Sequence, residues 1–327
     1  MQRNAKNDEI ARQNECHDEA DGRHVWHEGH DEGLWRKIPI LTNFLNPHVF
    51  YICGATASGK SAVAIDYARQ HGGEIINADA FQLYRGLEVL TASPTAEDLA
   101  LVPHHLYGVL ASHQAADAQQ FCLMAQSAIE EINSRGKLAI VTGGSGLYLK
   151  FLTHGAAPLP RPDAALREEL NALSLDQLVA RLIELDPLEA SRTALKNRRF
   201  VSRAVEICLL TGGKASALRD GWHAKTTACA AQLQGIVIHR DRAQLHQRIA
   251  ARTRIMLENG AIDEVASLKD PSNNLTKAIG YAQIRDFLDG KIDLATCEER
   301  IVIATRQYAK RQETWFRREQ WLTPLER

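Results

Sequence analysis

From residue 48 onward, short unbroken apolar runs alternate with longer stretches in which apolar residues recur at helical spacing. Val49-Phe50-Tyr51-Ile52-Cys53 has no polar interruption and reads as a strand buried on both faces. Ser61 to Arg69 contains neither Gly nor Pro and predicts a helix. Glu74-Ile75-Ile76-Asn77 and Leu106-Tyr107-Gly108-Val109-Leu110 read as further strands, and Lys137-Leu138-Ala139-Ile140-Val141 as another. Between them, Phe121, Ala125, Ala128, Ile129 and Ile132 mark one face of a helix over Asp117–Ser134. Strand and helix in regular alternation predict an α/β fold: a parallel sheet covered on both sides, with ligands at the carboxyl ends of its strands.

The pattern changes twice. Residues 1–47 are polar, with His17, His24, His27 and His30 set among Asp, Glu and Gly. Glycines at 22, 29 and 33 weaken any helix that would align those histidines, so this segment is expected to be a disordered extension rather than a metal-binding tail. After a first core segment, 48–157, prolines at 158, 160 and 162 introduce a helical stretch without a convincing strand, 158–233. Gln234-Gly235-Ile236-Val237-Ile238 restores a strand, Asp241–Asn259 is again helical, and a long helix is expected over Asp293–Arg318. A helical block bracketed by strands predicts a helical domain inserted into the α/β core, with 234–327 as the second part of that core.

Composition narrows the class only slightly. A formal net charge of −1 in 327 residues gives no global basic field, although one face can still concentrate positive charge. The six cysteines are scattered without a C-x-x-C pair, which argues against a zinc site or a disulfide framework and for reduced thiols in the cytoplasm. No apolar run approaches the roughly 18 residues of a membrane span, and the acidic N-terminus lacks a signal-peptide core. A monomer is the default expectation.

The chemistry is carried by Gly54-Ala55-Thr56-Ala57-Ser58-Gly59-Lys60-Ser61, which fits G-x-x-x-x-G-K-[ST] between a predicted strand and a predicted helix. Backbone N–H groups and the helix N-terminus would cradle phosphate oxygens, Lys60 would meet the distal phosphate, and the Ser61 hydroxyl would reach Mg²⁺. This loop alone does not separate kinases, ATPases and transferases.

Further motifs follow in order: Ile76-Asn-Ala-Asp-Ala-Phe-Gln-Leu-Tyr-Arg-Gly86, Pro103-His104-His105-Leu106, Gly143-Gly-Ser-Gly-Leu-Tyr148, Ile279-Gly280-Tyr281 and Ala304-Thr-Arg-Gln-Tyr-Ala-Lys-Arg-Gln-Glu-Thr-Trp315. Together with the loop they resemble the bacterial tRNA dimethylallyltransferases over residues 48–318. The resemblance implies a P-loop NTPase-like core whose loop holds dimethylallyl diphosphate. It implies transfer of the dimethylallyl group to N6 of the adenosine 3′ of the anticodon, with Mg²⁺ as cofactor. Catalytic roles are implied for Asp79, Thr56, Ser145 and Arg306, with Asp79 taking the N6 proton. Read without the resemblance, Asp79 could equally hold Mg²⁺ or cap a helix. Contacts to the tRNA anticodon stem-loop are implied for Asp79, Ala80, Phe81, Gln82, Ser145, Arg167, Arg199, Arg203, Lys277, Gly280, Tyr281, Lys310, Arg311, Gln312 and Arg317. Arg306, Lys310 and Arg311, at i, i+4 and i+5, would form one cationic wall, a pattern that otherwise reads as a solvated basic face.

The chain departs from the family pattern at Ala80, where Ser is usual, at Ser93 for Lys, at Phe200 for Arg and at Ala282 for Arg. Ser145 stands for Thr and Lys277 for Arg, keeping the hydroxyl and the charge. Three rival readings share parts of this pattern: an ATP-dependent small-molecule kinase, a prenyltransferase for free adenine nucleotides, and an inactive RNA-binding protein. The first predicts phosphoryl transfer, the second label in free AMP, and the third loss of Lys60, Ser61, Asp79 or Arg306, all of which are present.

Overall fold

The computed structural model of the chain describes residues 49–155, 159–230 and 232–327, and gives no side-chain surroundings for 225–229. The expectations for residues 1–47 and for Pro158 lie outside the described residues. Six parallel strands form one sheet in the order β3-β2-β4-β1-β5-β6. They are β1 (Val49–Gly54), β2 (Gly73–Asn77), β3 (His104–His105), β4 (Leu138–Gly143), β5 (Gly235–His239) and β6 (Leu322–Glu326). Strand β1 lies inside the sheet, with Tyr51 opposite Val141 of β4 and Ile52 opposite Ile236 of β5. Its residues Phe50, Ile52 and Cys53 are fully buried, as the unbroken apolar run requires.

Helix α1 (Lys60–His71) follows the loop after β1, α2 (Ala96–Leu101) leads into β3, and α3 (Ala118–Ser134) covers the sheet. Asp117 caps α3 through Gln119 N and Gln120 N, with Gln120 reaching back in a capping box. Phe121 on this helix stacks on Tyr148 of α4 (Gly146–His154), ring centroids 4.4 Å apart. Five helices then run without a strand between them: α5 (Ala164–Ala172), α6 (Leu175–Leu185), α7 (Pro187–Arg192), α8 (Arg198–Thr211) and α9 (Ala215–Ala230). The first four enclose an apolar cluster of their own, including Leu170, Leu178, Leu182, Val201 and Val205. The buried Asp186 carboxylate joins their corners, accepting from Glu189 N at 3.0 Å and from Ser216 N at 2.8 Å. After β5 come α10 (Arg242–Glu258), α11 (Ala261–Ser267), α12 (Tyr281–Leu288) and α13 (Leu294–Phe316). Asp241 and Asp293 cap α10 and α13.

Two strands differ from the expectation. The strand expected at 106–110 is instead the two-residue β3, because Leu106 (φ 62°) and Gly108 (φ 57°) adopt left-handed backbone that cannot extend a ladder. Strand β6 was not anticipated, since Pro324 interrupts its pattern; it lies at the sheet edge, where a missing N–H is tolerated. Cys53, Cys122, Cys208 and Cys297 are free and buried. Among the described residues no helix is long and apolar enough to cross a membrane.

The sheet register sets the site. Asn77 of β2 lies opposite Thr142, and Gly143 of β4 lies opposite Cys53 of β1. Three strands therefore end side by side, and the segments after Gly54, Asn77 and Gly143 leave from one edge. Close approach of two of them requires glycine: a Cβ at Gly143 would stand 2.2 Å from the Ala78 carbonyl oxygen. Gly143→Ala is expected to cost about 2–3 kcal/mol of stability, read as a lowered urea midpoint at unchanged m-value.

Candidate active site

The loop after β1 turns through Ala57 (φ 63°) and Gly59 (φ 91°), both left-handed. This curvature directs successive N–H groups into one concavity at the start of α1. Gln312 of α13 braces it: its Oε1 accepts from Thr56 N at 2.8 Å, and its Nε2 donates to Gly144 O at 2.9 Å. Helix α10 braces the outer, carbonyl side, with Arg248 Nε donating to Ala57 O at 3.0 Å. Arg240, between β5 and α10, donates through Nε to Ser58 O at 3.3 Å. Arg252, one turn beyond Arg248, donates to the Thr56 hydroxyl. The C-terminal Arg327 arrives through β6: a Cβ at Gly59 would meet Arg327 Nη1 at 3.3 Å, Arg240 Nη2 at 3.4 Å and Arg248 Nη2 at 3.7 Å.

These four arginines were not anticipated from sequence. Arg248 and Arg252 carried a signal, their i, i+4 spacing on a helix that follows a core strand. Arg240 and Arg327 carried none, because only the pairing of β5 with β6 brings them to the loop.

The charge is concentrated and poorly solvated. Burial pulls the Lys60 ammonium below the ordinary lysine value; the Asp79 carboxylate opposes that fall and Arg252 reinforces it. Burial likewise lowers Arg252 to about 10, with Asp79 again opposing. Arg306, half-buried on α13, has its Nε buried with no hydrogen-bond partner among the described residues. Cations so placed call for an anion with several oxygens.

Asp79 stands just past β2. Asn77 shapes its turn, accepting from Asp79 N at 2.7 Å and donating to Asp79 O at 3.1 Å and Leu106 O at 2.9 Å. Phe81 N, 3.3 Å from Oδ1, orients the carboxylate. Ser145, from the neighbouring strand end, accepts from Ala80 N at 3.0 Å. Thr56, Lys60, Asp79 and Ser145 thus meet at one edge of the sheet. The Ser61 hydroxyl makes no side-chain hydrogen bond among the described residues and lines a cavity of about 40 Å³ with Asp98 and Thr142.

Residues expected to meet RNA fall into three groups. Lys277, Lys310, Arg311 and Arg317 are exposed, Arg311 lying 5.7 Å from the Tyr308 ring centre. Arg167, Arg199 and Arg203 line an open groove of about 570 Å³ with Arg198 and Asn171. Within it the buried Glu206 holds Arg167 at 2.9 Å and Arg203 at 2.6 Å. Arg203 also donates to Pro160 O at 2.7 Å, so it is partly a structural clasp.

Phe81 and Tyr281 are half-buried and packed on the main core, and Gly280 is buried at φ 102°. Two further residues of this set are engaged by protein groups. Gln82 donates both amide hydrogens to the carbonyls of Thr91 and Ala92, 3.0 and 2.8 Å away, and holds that turn. Gln312 is 4% exposed with both ends of its amide bonded to protein, Thr56 N and Gly144 O. The expected single wall of Arg306, Lys310 and Arg311 also divides: Arg306 turns inward while the other two face solvent.

A parallel α/β sheet, a phosphate loop ringed by cations and a carboxylate at the same sheet edge, on the far side of β4, define a P-loop protein equipped to handle a phosphorylated substrate. The profile of the IPP transferase family matches residues 82–319, and the chain belongs to that family. It is 44% identical to the tRNA dimethylallyltransferase of Akkermansia muciniphila over 84% of this chain and 92% of the relative. It is 41% identical to that of Chromobacterium violaceum over 83% and 86% of the two chains. The crystal structure of a tRNA isopentenylpyrophosphate transferase from Staphylococcus epidermidis superposes with a TM-score of 0.61 at 31% identity, covering 86% of this chain and 93% of that one. A eukaryotic dimethylallyltransferase acting on tRNA gives 0.69 at 27% identity, covering 82% and 69%.

The lowered pKa of Lys60 yields a prediction with a definite sign. A bound anion favours the charged ammonium and raises its pKa again. Sulfate, which carries no titrating proton of its own in this range, should therefore bind with proton uptake at Lys60 that grows from neutral to higher pH. Calorimetry in buffers of different ionisation enthalpy reads this directly; proton release at the higher pH would contradict it.

Proposed function

We propose that this chain transfers the dimethylallyl group of dimethylallyl diphosphate to N6 of the adenosine 3′ of the anticodon in tRNA, in the cytoplasm. The observation that carries the reading is the placement of the Thr56–Lys60 loop and Asp79 at one edge of the sheet, on strand ends that flank β4, in a chain whose relatives bear that activity in their names. Lys60, Arg252, Arg306 and the loop amides would receive the diphosphate as the C1–O bond breaks and its electron pair leaves with oxygen. The N6 lone pair forms the new C–N bond, and the N6 proton passes to Asp79. Oδ1 of Asp79 is engaged by Phe81 N, which presents Oδ2 for that proton. Thr56, held by Arg252, would stand beside the departing oxygen.

The donor set fits Mg²⁺, since Ser61 offers an unengaged hydroxyl and the diphosphate supplies further oxygens. When bound there, the ion would neutralise charge on the leaving group. The arginine groove and the exposed cations of α13 favour a polyanionic acceptor over a free nucleotide.

The test is incubation with labelled dimethylallyl diphosphate, Mg²⁺ and bulk tRNA from cells lacking the modification. Label should enter tRNA and not AMP, and ATP should be neither required nor consumed; the reverse pattern would reject the proposal. Asp79→Asn should lower the single-turnover rate by about 10²- to 10⁴-fold with little change in tRNA affinity. Arg199, exposed in the groove, should behave oppositely: Arg199→Ala should weaken tRNA binding and flatten its salt dependence by about one unit, with the rate at saturating tRNA unchanged.

A further inference from the structure

Helix α13 carries a line of polar side chains that joins the two halves of the site. Its first member, Gln312, is buried, and the direction of its amide is determined by its partners: Oε1 toward Thr56 N and Nε2 toward Gly144 O. Reversing the amide would set donor against donor and acceptor against acceptor. The contact is close enough that a Cβ at Gly144 would stand 2.2 Å from Nε2, so glycine at 144 is what admits it. One turn earlier on the same helix face, the Tyr308 hydroxyl interacts with the side chains of both Gln312 and Ser145. Ser145 in turn accepts from Ala80 N at 3.0 Å and donates its own N–H to Ala78 O at 3.3 Å, on either side of Asp79. The path runs Thr56, Gln312, Tyr308, Ser145, Ala80. It begins at the loop assigned to the diphosphate and ends beside the carboxylate assigned to the amine.

We infer that Gln312, seconded by Tyr308, is a positioning element that sets the distance between the bound prenyl diphosphate and the acceptor base. The inference rests on the transfer reading given above. Neither residue is placed to touch a reacting atom; each acts through Thr56 and Ser145. The demand for such a device follows from the reaction, which brings two separately held substrates to within about 3–3.5 Å and loses on the order of a hundredfold in rate for a misplacement of about 1 Å. The strand register brings the two segments to one sheet edge, with β4 between their strands, but leaves each on a loop, and loops move more than the strands they leave.

Gln312→Met keeps the length of the side chain and removes both polar ends. It should lower kcat by about 10- to 100-fold and raise KM for dimethylallyl diphosphate. The Kd for an anticodon stem-loop and the salt dependence of that binding should stay at their wild-type values. Tyr308→Phe removes one hydroxyl and keeps the ring, so it should fold normally and lower kcat by about 3- to 10-fold at unchanged Tm. Amide hydrogen exchange of the free protein gives a readout independent of turnover: the peptide covering Gly54–Lys60 should exchange faster in Gln312→Met than in wild type.

Wild-type kcat and loop exchange in both variants would overturn the inference. So would a raised stem-loop Kd with kcat intact at saturating RNA, which would return Gln312 to the RNA surface. If Gln312→Met does not fold, Tyr308→Phe decides: unchanged kcat overturns the inference, and reduced kcat at unchanged stem-loop Kd upholds it. Failure of the wild-type enzyme to label tRNA, with loop exchange still accelerated in Gln312→Met, would instead reject the transfer reading and leave the bracing of the loop established.

Discussion

The site depends on holding several positive charges beside one short loop before any anion arrives. Two unit charges about 6 Å apart repel by roughly 3 kcal/mol at an effective dielectric near 20. The fold offsets part of this with loop carbonyls, which accept from Arg240 and Arg248, and part with Asp79, whose charge opposes the fall in the Lys60 and Arg252 pKa values. Arg306 Nε keeps no such compensation among the described residues. A diphosphate supplies the missing negative charge, and its departure as a product is the event this arrangement favours. In the proposed transfer the same carboxylate that relieves the cations would accept the proton, so Asp79 would link the charge balance of the donor half to the chemistry of the acceptor half.

That linkage needs the three strand ends to lie close together, and side-chain bulk is what the chain gives up to achieve it. Gly143 passes the Ala78 carbonyl at a distance no Cβ permits, and Gly144 admits Gln312. Asn77 then uses every polar atom of its side chain on the turn that carries Asp79, bonding Asp79 N, Asp79 O and Leu106 O. The left-handed Leu106 that truncates β3 is thus part of the same framework: its carbonyl is turned to meet Asn77 instead of continuing the ladder.

What sequence alone made legible was whatever is encoded locally. The strand–loop–helix at 49–71, the capped helices beginning after Asp117, Asp241 and Asp293, and the position of Asp79 past β2 all follow from neighbouring residues. The partners of the phosphate loop did not, because they come from far along the chain. Arg252 reaches Thr56 across 196 positions and Gln312 reaches it across 256. Gln312 was assigned to the RNA surface by its place in a motif, and only packing shows that α13 turns it inward. The strand that delivers Arg327 was hidden by Pro324, which argues against an interior strand but is harmless at an edge.

Four of the departures from the family pattern separate by the kind of atom each position contributes. Ala80 meets Ser145 through its backbone N–H, so replacing the usual Ser leaves that bond intact. Ser145 itself keeps the one hydroxyl that both Ala80 and Tyr308 use. Phe200 and Ala282, in contrast, are exposed, and each removes a cation the family usually has. A buried, mutually hydrogen-bonded half tolerates only changes that preserve its donors and acceptors, since an unpaired buried polar group costs about 1–3 kcal/mol. An exposed, electrostatic half loses a small increment with each cation, and other cations share the load. Phe200 and Ala282 thus fall on exposed positions, while Ala80 and Ser145 keep the hydrogen bond that ties the Asp79 segment to the end of β4.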